Sequence, residues 1–162
     1  MASIRLAKIA LTAGAGLLFL IVGLDNCLDY STNFDVVRHI LAMDMIPPGP
    51  LSWRAITATW FHHLAYLGII LVEIAAGVAT LAGAARLWRA RAASAHDFNR
   101  EKALAVASLA SVVGLYFVGF TTIGGEWFQM WRAGVYNMQE PAFRFIGSVG
   151  LILLFLNQRD ED

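Results

Sequence analysis

Residues 64–85 read LAYLGIILVEIAAGVATLAGAA, and Arg86, Arg89 and Arg91 follow closely. A helix needs about 20 apolar residues to cross a bilayer core. This run meets that length with one charged side chain, Glu73, inside it. Two further runs meet the same test. Leu6 to Leu24 is preceded by Arg5 and carries Lys8 near its start, and Ala103 to Ile123 is opened by Arg100 and Lys102. A shorter fourth run, from about Ala142 to Leu156, contains Arg144 and ends at Asn157, Gln158 and Arg159. The expected fold is all-α and membrane-integral: four transmembrane helices in an antiparallel bundle, forming one domain over residues 1–162.

The composition agrees. Of 162 residues, 58% are hydrophobic and 15% charged, with a mean hydropathy of +0.60, whereas soluble domains average about 45–50% apolar and about 25% charged. Twelve Lys and Arg balance twelve Asp and Glu, so the basic surplus of a nucleic-acid binder is missing. A single cysteine, Cys27, rules out an internal disulfide framework and cysteine-rich zinc sites. The first apolar run has a signal-like basic start. Its exit, Gly23-Leu24-Asp25-Asn26-Cys27, lacks a small-x-small cleavage pattern, so it is read as a retained span.

Basic residues set the expected orientation. Arg5, Lys8, Arg86, Arg89, Arg91, Arg100, Lys102 and Arg159 fall on one side, and Arg38, Arg54, Arg132 and Arg144 on the other. The richer side is expected to be cytoplasmic, with both termini. Small residues recur every fourth position, as Ala75, Ala79, Gly83 and as Ala103, Ala107, Ser111, a spacing that lets membrane helices approach closely.

The connection between the first two spans is long for a plain loop. Within it Phe34, Val37, Ile40, Leu41 and Met45 fall at helical spacing, with Asp35, Arg38 and Asp44 elsewhere. The pattern predicts a short amphipathic helix in the outer loop, capped by Thr32 or Asn33 and ended by Pro47-Pro48-Gly49-Pro50. Ser52 reads as the cap of the next helix, with Trp53 already helical. Trp53, Trp60, Tyr66, Trp127, Trp131 and Tyr136 fall near the outer boundary like an interfacial aromatic belt, and Trp88 near the inner one.

Several blocks carry a family likeness. These are Asp29-Tyr30-x-x-Asn33-Phe34, Val37-Arg38-His39-Ile40-Leu41-x-Met43-Asp44, Trp53-Arg54-Ala55-Ile56-Thr57 and His62-His63-x-Ala65-Tyr66 in the first half. Phe98-Asn99-Arg100-x-Lys102-Ala103, Gly124-Gly125-Glu126-Trp127-Phe128-x-Met130-Trp131 and Gln139-Glu140-x-Ala142-Phe143-Arg144 follow. Over nearly its whole length the chain resembles the bacterial predicted small integral membrane proteins, domain of unknown function 2165. The resemblance implies a four-span protein of the bacterial inner membrane and supplies no activity.

Helical rise assigns each polar group a depth. Glu73, 13 residues before Arg86, lies about 20 Å from the basic end; Arg144, 14 before Gln158, about 21 Å; Asp25, 17 after Lys8, about 25 Å. His62 and Glu126, each 24 residues from a basic anchor, lie at about 36 Å. A lone charge in hydrocarbon costs about 2.5–3.5 kcal/mol, so Glu73, Arg144 and Asp25 are expected to share a buried polar network. That network is read either as an ion pair fixing helix register or as a proton path or polar floor beneath a ligand. An outer layer of His62, His63, Glu126, Trp127 and Trp131 is read as an ordinary interfacial end, or as a site for a quinone, a lipid headgroup or a metal. Adjacent histidines point about 100° apart on a helix, so a divalent ion such as zinc would take one histidine with Glu126 and Asp25 or Asp29. Haem would need His39 with His62 or His63.

No nucleophile–base pair, phosphate loop or cysteine redox motif is visible. The expected role is a non-catalytic accessory or interaction subunit of a larger membrane assembly. The alternatives are a binder or carrier of quinone, lipid or protons, and, behind it, a metal-dependent membrane enzyme.

Overall fold

The apolar run around Glu73 forms the middle of the longest α-helix in the chain. A computed structural model describes residues 2–161, which hold α1 (Ala2–Leu28), α2 (Tyr30–Ala42), α3 (Thr59–Arg89), α4 (Ala95–Glu101), α5 (Ala103–Gly114) and α6 (Gln139–Asn157). A π-helical segment, Leu115–Trp127, continues α5. Single 3₁₀ turns occupy Ser52–Arg54, Met130–Arg132 and Gly134–Tyr136. No strand occurs among the described residues. Four stretches are long and apolar enough to span a membrane: Ser3–Leu28, Thr59–Arg89, Ala95–Trp127 and Gly134–Asn157. They close a four-sided bundle in which α1 packs on α3, α3 on α5, α5 and the π segment on α6, and α6 on α1.

Small residues set the tightest seams, and of those the fourfold spacing favoured Gly83 takes part. A Cβ on Gly77 would lie 2.6 Å from the Leu20 backbone nitrogen, and one on Gly16 would lie 2.9 Å from that of Leu81, so α1 and α3 touch backbone to backbone. Gly83 meets Ala105 of α5 in the same way. Ala75, Ala103, Ala107 and Ser111 point outward. The helix phase puts Ala76, Gly77 and Thr80 inside instead, and the Thr80 hydroxyl donates to Ser108 Oγ across 2.8 Å.

The basic end is a lock rather than a fringe of free anchors. Lys8 and Lys102 both donate to Asp160 Oδ2 and to the Gln158 carbonyl, and Asn99 holds the Asp160 backbone. Arg5 donates to the carbonyls of Arg91 and Ala93. Lys8 is 2% exposed and Lys102 4%, because their stems lie among the helix ends while the ammonium groups reach a folded-back carboxylate.

At the aromatic end the amphipathic helix exists but begins earlier than expected. It starts at Tyr30 behind Asp29, which forms no side-chain cap; the Thr32 hydroxyl donates to Asp29 Oδ2 instead. It ends on Met43 in the left-handed region (φ 52°). Ile40, Leu41, Met43 and Ile46 pack on Phe128, Met130 and Ala133. Ser52 does not open a helix. After one 3₁₀ turn the chain is non-helical as far as Ala58, and α3 starts at Thr59. The Ile56 N–H donating to the Leu41 carbonyl (2.8 Å) holds this stretch against the end of α2.

Candidate functional site

Glu73 faces the bundle, 2% exposed, but its partners are neutral. Asn26 Nδ2 of α1 donates to Oε2 (2.7 Å) and the Tyr116 hydroxyl donates to Oε1 (2.8 Å). Asn33 Nδ2 of α2 donates to Asn26 Oδ1 (2.7 Å), and the Tyr66 hydroxyl leans on the Asn26 carbonyl (3.4 Å). α1 and the π segment therefore reach the carboxyl group on α3 directly, and α2 reaches it through Asn26. Among the described residues no cation lies within ion-pairing distance of it.

Neither Arg144 nor Asp25, the companions expected from depth, reaches Glu73. Arg144 is exposed, with its Nη2 on Glu140 Oε1 at 2.8 Å, one turn back on α6. Its depth matches that of Glu73 but its azimuth does not: Ala142 and Val149 take the buried face of α6 and turn Arg144 outward. Asp25 is exposed too, one position from Asn26, which is the residue that turns inward. The same arithmetic contained the true partner. Tyr116 lies 14 residues after Lys102, about 21 Å along an α-helix and level with Glu73.

Above Glu73 lie two adjoining cavities. One, of about 140 Å³, is bordered by Asn26, Asn33, Tyr66, Glu73 and Tyr116. The next, of about 200 Å³, lies between Ile40 and Leu41 of α2, Ala65 of α3, and Gly124, Phe128 and Met130. Val36, Val37, Ile69 and Phe120 wall both. The π segment shapes this space. With one extra residue per turn it is a wide helix, and such segments recur at functional sites. The Thr121 and Thr122 hydroxyls donate to the carbonyls five residues back, and the Phe128 N–H to that of Ile123. The segment opens with Tyr116 at Glu73 and brings Phe120 and Gly124 to the cavity wall.

The outer-layer residues do not converge. His62 is buried with Nε2 on the Ile56 carbonyl (2.7 Å), and its Nδ1 has no partner. His63 points elsewhere, its Nδ1 at 2.8 Å from the Tyr30 hydroxyl and its ring stacked on Phe34. His39, the remaining haem candidate, pairs with Asp44 (2.7 Å) and Arg38. Glu126 is exposed, beside Trp127 on the far side of Phe128, and Trp131 carries Arg132 over its ring. Among the described residues no three His, Cys, Asp or Glu side chains come together as a metal would need. The constellation of one histidine with Glu126 and Asp25 or Asp29 is not formed, because His62 turns to the Ile56 carbonyl, His63 to Tyr30, and Glu126 to a cleft that neither histidine lines.

Four packed apolar helices around a buried carboxyl define a small multi-pass integral membrane protein. Residues 4–159 match the family described as predicted small integral membrane protein (DUF2165), and the chain belongs to it. No curated protein and no solved structure matches the chain.

Proposed function

We propose that the chain binds a small amphiphile of the quinone type, an apolar ring or chain with one hydrogen-bonding head, in the cavities beneath α2. One observation carries the reading: Glu73, buried at mid-span without a counter-charge, borders with Asn26 and Tyr116 the polar end of a largely apolar space. An ionisable group within a transmembrane bundle is costly and marks function by default. Together the two cavities, of about 140 and about 200 Å³, fall at the lower end of the about 300–1,000 Å³ usual for small-molecule sites. An apolar wall with a few convergent polar groups is the usual design of such sites. The head would meet Glu73, Tyr116 and Asn26, and the tail would lie along Phe120 and Val37. On this reading α2 covers the site, tied to its floor through Asn33, and the role is binding or carriage rather than catalysis. The proposal takes the bacterial inner membrane from the family resemblance and cytoplasmic termini from the basic-residue count.

Purification from native membranes in mild detergent, followed by extraction and mass spectrometry, tests the proposal alongside a thermal-shift titration with a short-chain quinone. A retained quinone or a saturable rise in Tm supports it, provided Val37→Trp, which puts an indole at the wall the two cavities share, removes the effect. An empty extract with no saturable shift overturns it. A stoichiometric protein partner in place of a small molecule would transfer the assignment to the accessory-subunit role.

A further inference from the structure

A second cleft, of about 480 Å³, opens at the aromatic end between Arg54, Thr122, Ile123, Glu126, Trp127 and Phe128. It shares only the wall of Ile123 and Phe128 with the cavity under α2. Its two charges, Arg54 and Glu126, have no ion-pair partner among the described residues. Arg54 Nη1 donates to the Trp127 carbonyl (3.2 Å), and among the described residues its buried Nε has no partner and its Nη2 makes no hydrogen bond. The guanidinium is nonetheless held firmly, 4.3 Å from the Trp127 ring centroid and 5.5 Å from that of Trp53, and those two indoles meet edge to face. Glu126, on the same cleft, has no hydrogen bond or ion pair among the described residues. The two charges line one cleft but do not pair with each other.

We propose that this cleft binds a phosphate joined to a primary ammonium, the headgroup of an ethanolamine phospholipid. A fixed guanidinium is suited to phosphate oxygens, to which it donates charge-assisted hydrogen bonds. A carboxylate beyond it suits an ammonium that donates hydrogen bonds. It suits a trimethylammonium less, because that group has no N–H to donate. A purely anionic headgroup would meet Arg54 favourably but place charge near Glu126. The position fits a lipid: indoles settle at headgroup level, and exposed Phe117, Val118 and Ile123 of the π segment run from the cleft towards the bilayer interior as a surface for acyl chains.

Native mass spectrometry of the full chain in detergent provides the test, with equal amounts of phosphatidylethanolamine, phosphatidylcholine and phosphatidylglycerol of matched chains. The wild type is expected to retain the ethanolamine lipid about tenfold over each of the others, one charge-assisted hydrogen bond's worth of discrimination. Glu126→Gln is expected to abolish the preference over phosphatidylglycerol while still retaining lipid, and Arg54→Gln to lower retention of all three. Glu126 is exposed, so its variant keeps the fold and carries the test even where Arg54→Gln perturbs the loop. Glycerophosphoethanolamine then distinguishes the source: competition shows that the headgroup alone suffices, and lack of competition assigns the site to the membrane lipid. Equal retention of the three lipids by the wild type, or an unchanged ethanolamine-to-glycerol ratio in Glu126→Gln, overturns the proposal.

Discussion

At residue scale, the Glu73 carboxyl is satisfied by two neutral donors, and this separates it energetically from the other mid-span charge. Replacing Tyr116 by Phe removes the donor to Oε1 and leaves a buried acceptor short, at an expected cost of about 1–3 kcal/mol. A double-mutant cycle between Glu73→Gln and Tyr116→Phe, read from unfolding in detergent, should show coupling. The cycle between Glu73→Gln and Arg144→Gln should be additive, because the two share no partner. The same scale explains what could be read in advance. Depth is linear in sequence, so Glu73 stood out from its distance to Arg86. Facing depends on packing that sequence does not print, so depth points to Asp25 and Arg144 while the folded chain turns Asn26 and Tyr116 to Glu73. At the basic end Asp160 gives a second measurement. Burial pushes its carboxyl up, but hydrogen bonds from Lys102 and Lys8 outweigh this and leave it below the ordinary 3.8. Its contribution to stability is therefore complete above that value and is lost as pH falls through the lowered one. Wild-type Tm should fall in that acid window, and Asp160→Asn should start lower and lose less there.

At the scale of elements, α1 and α3 are joined by a backbone seam and α2 by a lighter set of contacts. Gly77→Leu would drive a side chain into the Leu20 backbone, 2.6 Å from where its Cβ must sit. Overpacking of this kind costs about 1–3 kcal/mol or more, whereas Gly68→Leu, where a Cβ meets nothing within 4 Å, should be near neutral in the same unfolding assay. The four spans were legible because apolar length is a composition property. The π segment was not: its residues are ordinary span residues, and the extra residue per turn arises from tertiary packing and the hydroxyls of Thr121 and Thr122. The amphipathic α2 was legible from Val37, Ile40 and Leu41. Its start was not, because Asp29 and Tyr30 continue almost directly from α1. Held by Asn33, the Tyr30–His63 contact and the Ile40–Met130 cluster, α2 should exchange its amides slowly in detergent, while exposed Gly49, which carries the one N–H of residues 47–50 and bonds only to Ser52 Oγ, exchanges fast. Rapid exchange throughout Asn33–Asp44 would make it a flexible loop and remove the cover from the proposed site.

For the whole molecule, the orientation argument gains a physical qualification from the basic-end lock. Three of the eight basic residues assigned to the cytoplasmic side, Arg5, Lys8 and Lys102, are buried in the folded protein and engaged by carbonyls and Asp160. On the opposite side Arg38 pairs with Asp35 and Arg144 with Glu140. Were orientation decided by the finished surface, the bias between the two ends would shrink. The basic-residue rule instead acts during insertion, on loops and flanks that have not yet found partners, and acidic residues weigh little in it. The full count of eight against four therefore governs, and the termini are expected to be cytoplasmic. A Cys27→Ser background with Gly49→Cys or Ala92→Cys tests this with a membrane-impermeant maleimide applied from the periplasm. Both positions are exposed, and Ala92 leaves intact the Ser94 side chain that caps α4 by accepting from the Asp97 N–H. Labelling at position 49 and protection at 92 is the expected result. The reverse would put the basic lock outside and the aromatic end inside, and labelling at both in intact cells would show that insertion does not follow the charge count.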